Sequence, residues 1–200
     1  MKRKSGKGNS WQDHYSRRAK KDRYPARSVY KLEEIQQKYR LIRKGDKILD
    51  LGCSPGSWLL YAAKLTGEKG RVIGIDPKPV KIQEAPNIEI INRDVFALDA
   101  GTLGRDFNLV MSDMAPATTG HKTVDAARSV GLCEAALAIA QRVLLPGGCF
   151  VCKIFQGPDF NQFVNSVRAG FERQKIFKPR SSRKASKEIF IIGQGFKANN

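Results

Sequence analysis

Histidine is nearly absent from this 200-residue chain, with two residues, and cysteine is sparse, with four. Cys53, Cys133, Cys149 and Cys152 fall within predicted strands, helices or their junctions, not at regular framework spacings. Cys149 and Cys152 form one C-x-x-C with no second pair, too few ligands for a structural zinc site. Small buried thiols in a reducing compartment are the reading that remains, and no metal is assigned. No apolar run approaches the roughly 18 residues of a membrane span. The opening stretch MKRKSGKGNSWQDHY is basic but never reaches the apolar core of a secretory signal, so a cytoplasmic location is expected. Acidic residues are scarce too. Nineteen Asp and Glu face 36 Lys and Arg, a net charge of +17. An excess of that size points to a polyanionic partner, and no basic amphipathic helix with an aromatic face argues for a membrane instead.

What the chain does have is alternation. Residues 1–24 read as a basic, polar segment, its first ten residues expected to be disordered. Residues 25–200 read as a single domain without a linker or internal repeat. ARSVYKLEEIQQKYRLI places Val29, Leu32, Ile35 and Tyr39 at helical spacing, with Ser28 as a candidate cap. GDKILDLGC is a turn followed by a buried strand, and SWLLYAAKLTG a helix ended by Gly67. GRVIGIDP, IEIINRD and FNLVMSDMAP are three further strands. A helix is expected over 124–145, ending at PGG, then the strand CFVCKIF and a helix over 160–171. Strand and helix in turn predict a largely parallel sheet with helices on both faces. The last two runs, QKIFKP and KEIFIIGQGF, have no helix between them and predict an antiparallel pair at one edge.

In such sheets ligands gather at the carboxyl ends of the strands. The first of those loops is DLGCSPGSW, where Gly52 and Gly56 permit close backbone approach and Ser57 opens a helix. The nicotinamide fingerprint G-x-G-x-x-G is missing, because Ser54 stands where its second glycine would be. Acids at three consecutive strand ends, Asp50, Asp76 and Asp94, suit the hydroxyls of a ribose and the amino group of an adenine. No lysine-bearing phosphate loop is present, so S-adenosylmethionine is favoured over a nucleoside triphosphate.

Lys153 is the odd residue. It interrupts CFVCKIF, an apolar run of the kind that builds a buried strand, although an unpaired buried ammonium costs several kcal/mol. Either it emerges at the strand end or the protein needs an amine held partly dry.

Taken in order, ARSVYKLEEI, LDLGCSPGSW, GIDP, MSDMAP, PGGCFVCKIFQG and SSRKASKEIFIIGQGF resemble the FtsJ/RrmJ family of RNA ribose 2′-O-methyltransferases over about residues 24 to 196. The similarity is greatest to the compact bacterial branch acting on a uridine of large-subunit (23S) ribosomal RNA. The resemblance implies a doubly wound, Rossmann-like sheet of seven strands, mostly parallel, with the last antiparallel. It also implies S-adenosylmethionine as cofactor and a catalytic Lys–Asp–Lys–Glu set. That set falls on Lys31, Asp113, Lys153 and Glu188, and the cofactor positions on Gly56, Trp58, Asp76, Asp94 and Asp113. Ser57 departs from the glycine that many relatives carry. The implied partner is 23S RNA in the large ribosomal subunit, bound by a monomer without a membrane. Methylation of tRNA and a catalytically silent RNA-binding assembly factor stay open as alternatives; the missing glycine pattern disfavours a nicotinamide oxidoreductase.

Methyl transfer to a hydroxyl needs a group within hydrogen-bond reach to take its proton or stabilise the oxyanion. As a base, Lys153 must be neutral, a fall from about 10.4 towards 7–8 that costs roughly 3–4 kcal/mol. Lys31 would orient the ribose or assist electrostatically, Asp113 would hold Lys153 and touch the cofactor, and Glu188 would align the lysines. RNA phosphates would meet Arg17, Arg18, Lys20, Lys21, Arg23 and Arg27, with Arg180, Arg183 and Lys184 in the late loop; Trp11, Tyr15 and Tyr24 could stack on bases.

Overall fold

The computed structural model describes residues 10–83, 85–183 and 186–198, with side chains from His14 onward. Seven strands form one sheet: β1 Lys47–Leu51, β2 Arg71–Ile75, β3 Ile88–Ile91, β4 Phe107–Ser112, β5 Leu144–Phe155, β6 Phe171–Phe177 and β7 Glu188–Phe196. Their spatial order is β3-β2-β1-β4-β5-β7-β6. Pairing is parallel from β3 through β5, and only β7 runs against both of its neighbours. The seven-stranded, mostly parallel sheet and its reversed last strand are as expected. The helices are α1 Ser10–Lys21, α2 Val29–Tyr39, α3 Ser57–Thr66, α4 Lys122–Val143 and α5 Phe160–Gly170. Among the described residues no helix is long and apolar enough to cross a membrane.

Two cores lie on the two faces of the sheet. α4 packs Val130, Cys133, Leu137 and Ala140 with Leu49, Phe150 and Ile191. α2 and α3 pack Leu32, Ile35, Trp58 and Leu59 with Ile48, Met111, Val151 and Phe190 on the other. Successive side chains on a strand point to opposite faces. So Phe150, Cys152 and Ile154 enter the α4 core, while Val151 and Lys153 belong to the α2 face. By the same alternation Asp113 follows Met111, and Glu188 precedes Phe190, onto the α2 face. Strand parity alone therefore turns three of the four expected catalytic side chains to one side, and α2 supplies the fourth from above.

Several local expectations differ from the structure. The polar segment, expected to be disordered only over its first ten residues, forms α1 from Ser10 onward. Its seat on α2 is made by Arg18 to Glu33 at 3.1 Å, Tyr30 to Asp22 at 2.9 Å, and the Tyr15–Tyr30 ring contact. Charge masked the few apolar positions that dock it. The rest of the stretch expected to be disordered, residues 1–9, lies outside the described residues. Ser28 stands at the start of α2 but its hydroxyl makes no capping bond, since its backbone is already helical. The long helix ends at Val143, not 145, because β5 begins at Leu144, opposite Phe107. PGG becomes an irregularity inside that strand before the pairing resumes at Leu109 and Cys149. β3 stops at Ile91, so Asp94 is not at a strand end. It caps a short 3-10 turn, accepting from the Phe96 amide at 3.0 Å.

Candidate active site

Lys153 is 6 % exposed. Its stem lies in the β5 layer, and its Nζ meets Asp113 twice, at carboxylate Oδ1 (3.0 Å) and, through a short hydrogen bond, at the backbone carbonyl. Lys31 Nζ reaches the same Oδ1 at 3.6 Å and Glu188 Oε2 at 2.9 Å. Two ammonium groups and two carboxylates thus alternate in one chain of contacts, Lys153–Asp113–Lys31–Glu188. All four side chains are at most 17 % exposed. Such an array is tolerable under low solvent exposure because each cation faces a carboxylate. For Glu188, burial pushes the carboxyl up, but the charge and hydrogen bond of Lys31 and the pull of Lys153 outweigh it, leaving the group below the usual carboxylate range.

Asp113 also lines a cavity of about 410 Å³ at the carboxyl ends of β1, β2 and β4. Asp76 and Asp94 are in its wall, as are Gly52, Ser54 and Met114. Asp76 closes the end of β2, where Oδ2 accepts from the Ser54 amide at 3.0 Å and Oδ1 from the Lys78 amide at 2.8 Å. That bond fastens the glycine loop across the mouth of the crevice. Gly52 passes under Met114 with φ +75°, and a Cβ there would lie 2.2 Å from Met114 Cγ. Only glycine fits. The donors and acceptors suit an adenosine-type ligand: Asp76, Asp94 and Asp113 for hydroxyl and amino groups, and an apolar wall from Ile75, Val95 and Leu132, with Lys78 and Arg93 as the basic residues of the lining.

Of the expected cofactor residues, Asp76, Asp94 and Asp113 therefore share one cavity. Gly56 does not line it. It sits at the N-terminus of α3 with φ +105°, where Ile82 leaves no room for a side chain. Trp58 does not line it either; its ring is buried in the α2 core. Asp50, read as a third acid beside the crevice, is instead inside β1 at 1 % exposure, on the α2 face like Ile48. Its Oδ2 has no hydrogen-bond partner among the described residues, and burial, with Asp113 and Asp76 nearby, pushes its carboxyl well above the ordinary range. A raised folded-state value means that this group favours the fold fully below about 3.8 and progressively less as pH rises. Asp50→Asn should accordingly flatten the fall of melting temperature as pH rises above about 4. Parallel wild-type and variant curves would show that Asp50 is not taken up in neutral form.

One rim residue was not read from the sequence. Phe96, two residues past Asp94, is 67 % exposed and lines the cavity. An aromatic so close to an acid at a strand–turn junction was the available signal, but RDVF also reads as an ordinary amphipathic turn. The basic residues sort less cleanly. Arg18 is committed to Glu33, to Asp22 at 3.3 Å and to the Tyr30 ring. Arg27 donates to the Ser181 carbonyl. Glu34 accepts the amides of Arg180 and Ser181, tying the late loop to α2. Tyr24 packs edge-on against Tyr61. Trp11 and Lys184 lie outside the described side chains.

The profile described as FtsJ-like methyltransferase matches residues 24–196. A protein of Desulforapulum autotrophicum named ribosomal RNA large subunit methyltransferase E is 56 % identical over 194 residues, covering 96 % of each chain. One of the same name from Desulfatibacillum aliphaticivorans is 54 % identical over 196 residues, 96 % of this chain and 95 % of that one. Among solved structures, a Plasmodium falciparum chain described as a ribosomal RNA methyltransferase superposes with a TM-score of 0.75 at 26 % identity, over 88 % of this chain and all of that one.

Proposed function

The chain belongs to the FtsJ-like methyltransferase family, and from that premise we propose that it moves a methyl group from S-adenosylmethionine to the 2′-hydroxyl of a uridine in 23S ribosomal RNA, acting as a cytoplasmic monomer on the large ribosomal subunit. The observation that carries this reading is the double position of Asp113, which lines the cavity and holds the Lys153 amine at 3.0 Å.

When bound, S-adenosylmethionine supplies a methyl group on a positively charged sulfur, open to in-line displacement. Asp76 and Asp94 would hold its ribose and adenine, with Phe96 against the adenine face and Asp113 at the inner end. Lys153 takes the proton of the 2′-hydroxyl. To do so it must first shed the proton it carries beside the Asp113 carboxylate; the amine then keeps its hydrogen bond to the Asp113 carbonyl and has a lone pair for the substrate proton. Lys31 remains an ammonium between Glu188 and Asp113, and steadies the negative charge that grows on the ribose oxygen. Fixing donor, acceptor and base in one crevice can recover about 7–11 kcal/mol of barrier. Positioning is the larger part of the work.

Mapping 2′-O-methylation across total RNA from cells with and without the protein tests the reading. Loss of one uridine methyl in 23S RNA is expected; an unchanged pattern, or losses confined to tRNA, would overturn it. Two further outcomes follow. Phe96→Ala should weaken S-adenosylmethionine binding about 5- to 10-fold by calorimetry, since an aromatic stack on a base is worth about 1–3 kcal/mol and this one is at an exposed rim. An unaltered affinity would remove the ring from the site. If about five phosphate contacts form, RNA affinity should fall with salt at a log–log slope of about −3 to −4, and a flat response would reject the basic surface as the RNA contact.

A further inference from the structure

We infer that the Trp58 side chain is a positioning group that fastens the glycine loop to Lys31 and acts on methyl transfer through that lysine; the inference rests on the methyltransferase reading above. The indole is 3 % exposed and does not line the cavity. Its Nε1–H donates to the Ser28 carbonyl at 2.8 Å. That same carbonyl accepts the backbone N–H of Lys31 at 3.0 Å, so one oxygen joins Trp58 to the first turn of α2 at the residue that matters. Next to it, the Ser57 hydroxyl accepts the Ala26 amide at 2.7 Å and is itself 1 % exposed. Residues 57 and 58 thus clamp the segment 26–28 at two points.

The ring has a second contact. It stacks on Phe190 at 5.8 Å with 28° between the planes. Phe190 pairs with Lys153 in the β5–β7 register, and Glu188 precedes it by two positions on the same strand face. Lys31 Nζ also lies over the Phe190 ring, 5.8 Å from its centroid. Trp58 therefore touches the backbone that presents Lys31 and the side chain between Lys153 and Glu188. It is the second residue of α3, two past Gly56, so the loop that shapes the cavity and the helix that presents Lys31 cannot shift independently while these bonds hold.

Trp58→Phe is the clean variant, because it keeps a ring for the stack and the Ser28 carbonyl retains the Lys31 amide. Expected results are S-adenosylmethionine affinity within about twofold of wild type and a kcat about 10-fold lower, the scale of one hydrogen bond. Lys31→Ala should lose about 100-fold. If Trp58 works through Lys31, the double variant should also lose about 100-fold, whereas independent effects would multiply to about 1000-fold. A multiplied loss, or a fall in cofactor affinity equal to the fall in activity, overturns the inference. Should Trp58→Phe fail to fold by circular dichroism, Ser57→Ala carries the same comparison. Acylation of Lys31 by an amine-selective reagent, followed by mass spectrometry in the absence of substrates, should be faster in Trp58→Phe than in wild type; equal rates overturn the inference even if the wild-type protein methylates nothing. Wild-type inactivity on RNA, by contrast, counts against the methyltransferase reading alone.

Discussion

Lys153→Ala is expected to lower methyl transfer to RNA by about 10³-fold while S-adenosylmethionine binding stays within about threefold, measured by methyl incorporation and by calorimetry. The separation follows from placement. Lys153 does not line the cavity; it reaches it through Asp113, so its removal takes away the proton acceptor and leaves the cofactor wall in place. Two companion variants divide the possible roles. Lys153→Met keeps the buried stem and loses the amine, and should be as inactive as alanine but closer to wild type in stability, because it leaves a smaller void. Lys153→Arg keeps a cation that cannot release its proton, and should also be inactive if the amine acts as base. Arginine activity within about tenfold of wild type would instead assign Lys153 to charge stabilisation. Near-normal turnover in Lys153→Ala would remove the residue from the mechanism.

Most of this architecture was readable because it follows from periodicity. The two-residue repeat of CFVCKIF and KEIFIIGQGF decides which face Lys153 and Glu188 take, and a lysine amid apolar neighbours is anomalous enough to invite an explanation from its residues alone. Asp76 and Asp94 were placed by their loops, although Asp94 is held by a turn and not by a strand. What the sequence hides is contact across long separations. Nothing local reveals that Trp58 bonds to Ser28 or that Glu34 fastens the loop at Arg180, and the double role of Asp113 was legible only through the family resemblance. Asp50 misled for a related reason. An acid at the end of an apolar strand reads as solvated, and only the packed α2 face shows it to be enclosed. α1 was hidden by its charge, since a helix held on by Tyr15, Arg18 and Ala19 offers too few apolar positions for a clear stripe.

Asp113→Asn should be the most damaging single-atom exchange in the protein. The amide fills the same space, so packing is unchanged and the loss is electrostatic. Lys153, 7 % exposed at its side chain, is left facing a carbonyl and a neutral amide, and Lys31 keeps only Glu188. Breaking a buried ion pair from one side costs about 3–5 kcal/mol, because the remaining charge stays desolvated. Asp113 retains 17 % exposure, so the expected loss here is about 2–3 kcal/mol, or about 5–10 °C in melting temperature for a chain of this size. Glu188→Gln should cost less, since Lys31 still has the Asp113 carboxylate at 3.6 Å. Because the group is enclosed, the Asp113→Asn deficit should persist in high salt, where exposed ion pairs are screened. Activity should fall at least as far as in Lys153→Ala, and cofactor affinity should fall with it, which Lys153→Ala should not show. A melting temperature within about 1 °C of wild type would mean that the two lysines draw their counter-charge from elsewhere, and the alternating chain of four groups would no longer account for how two ammonium ions are held beside the cavity.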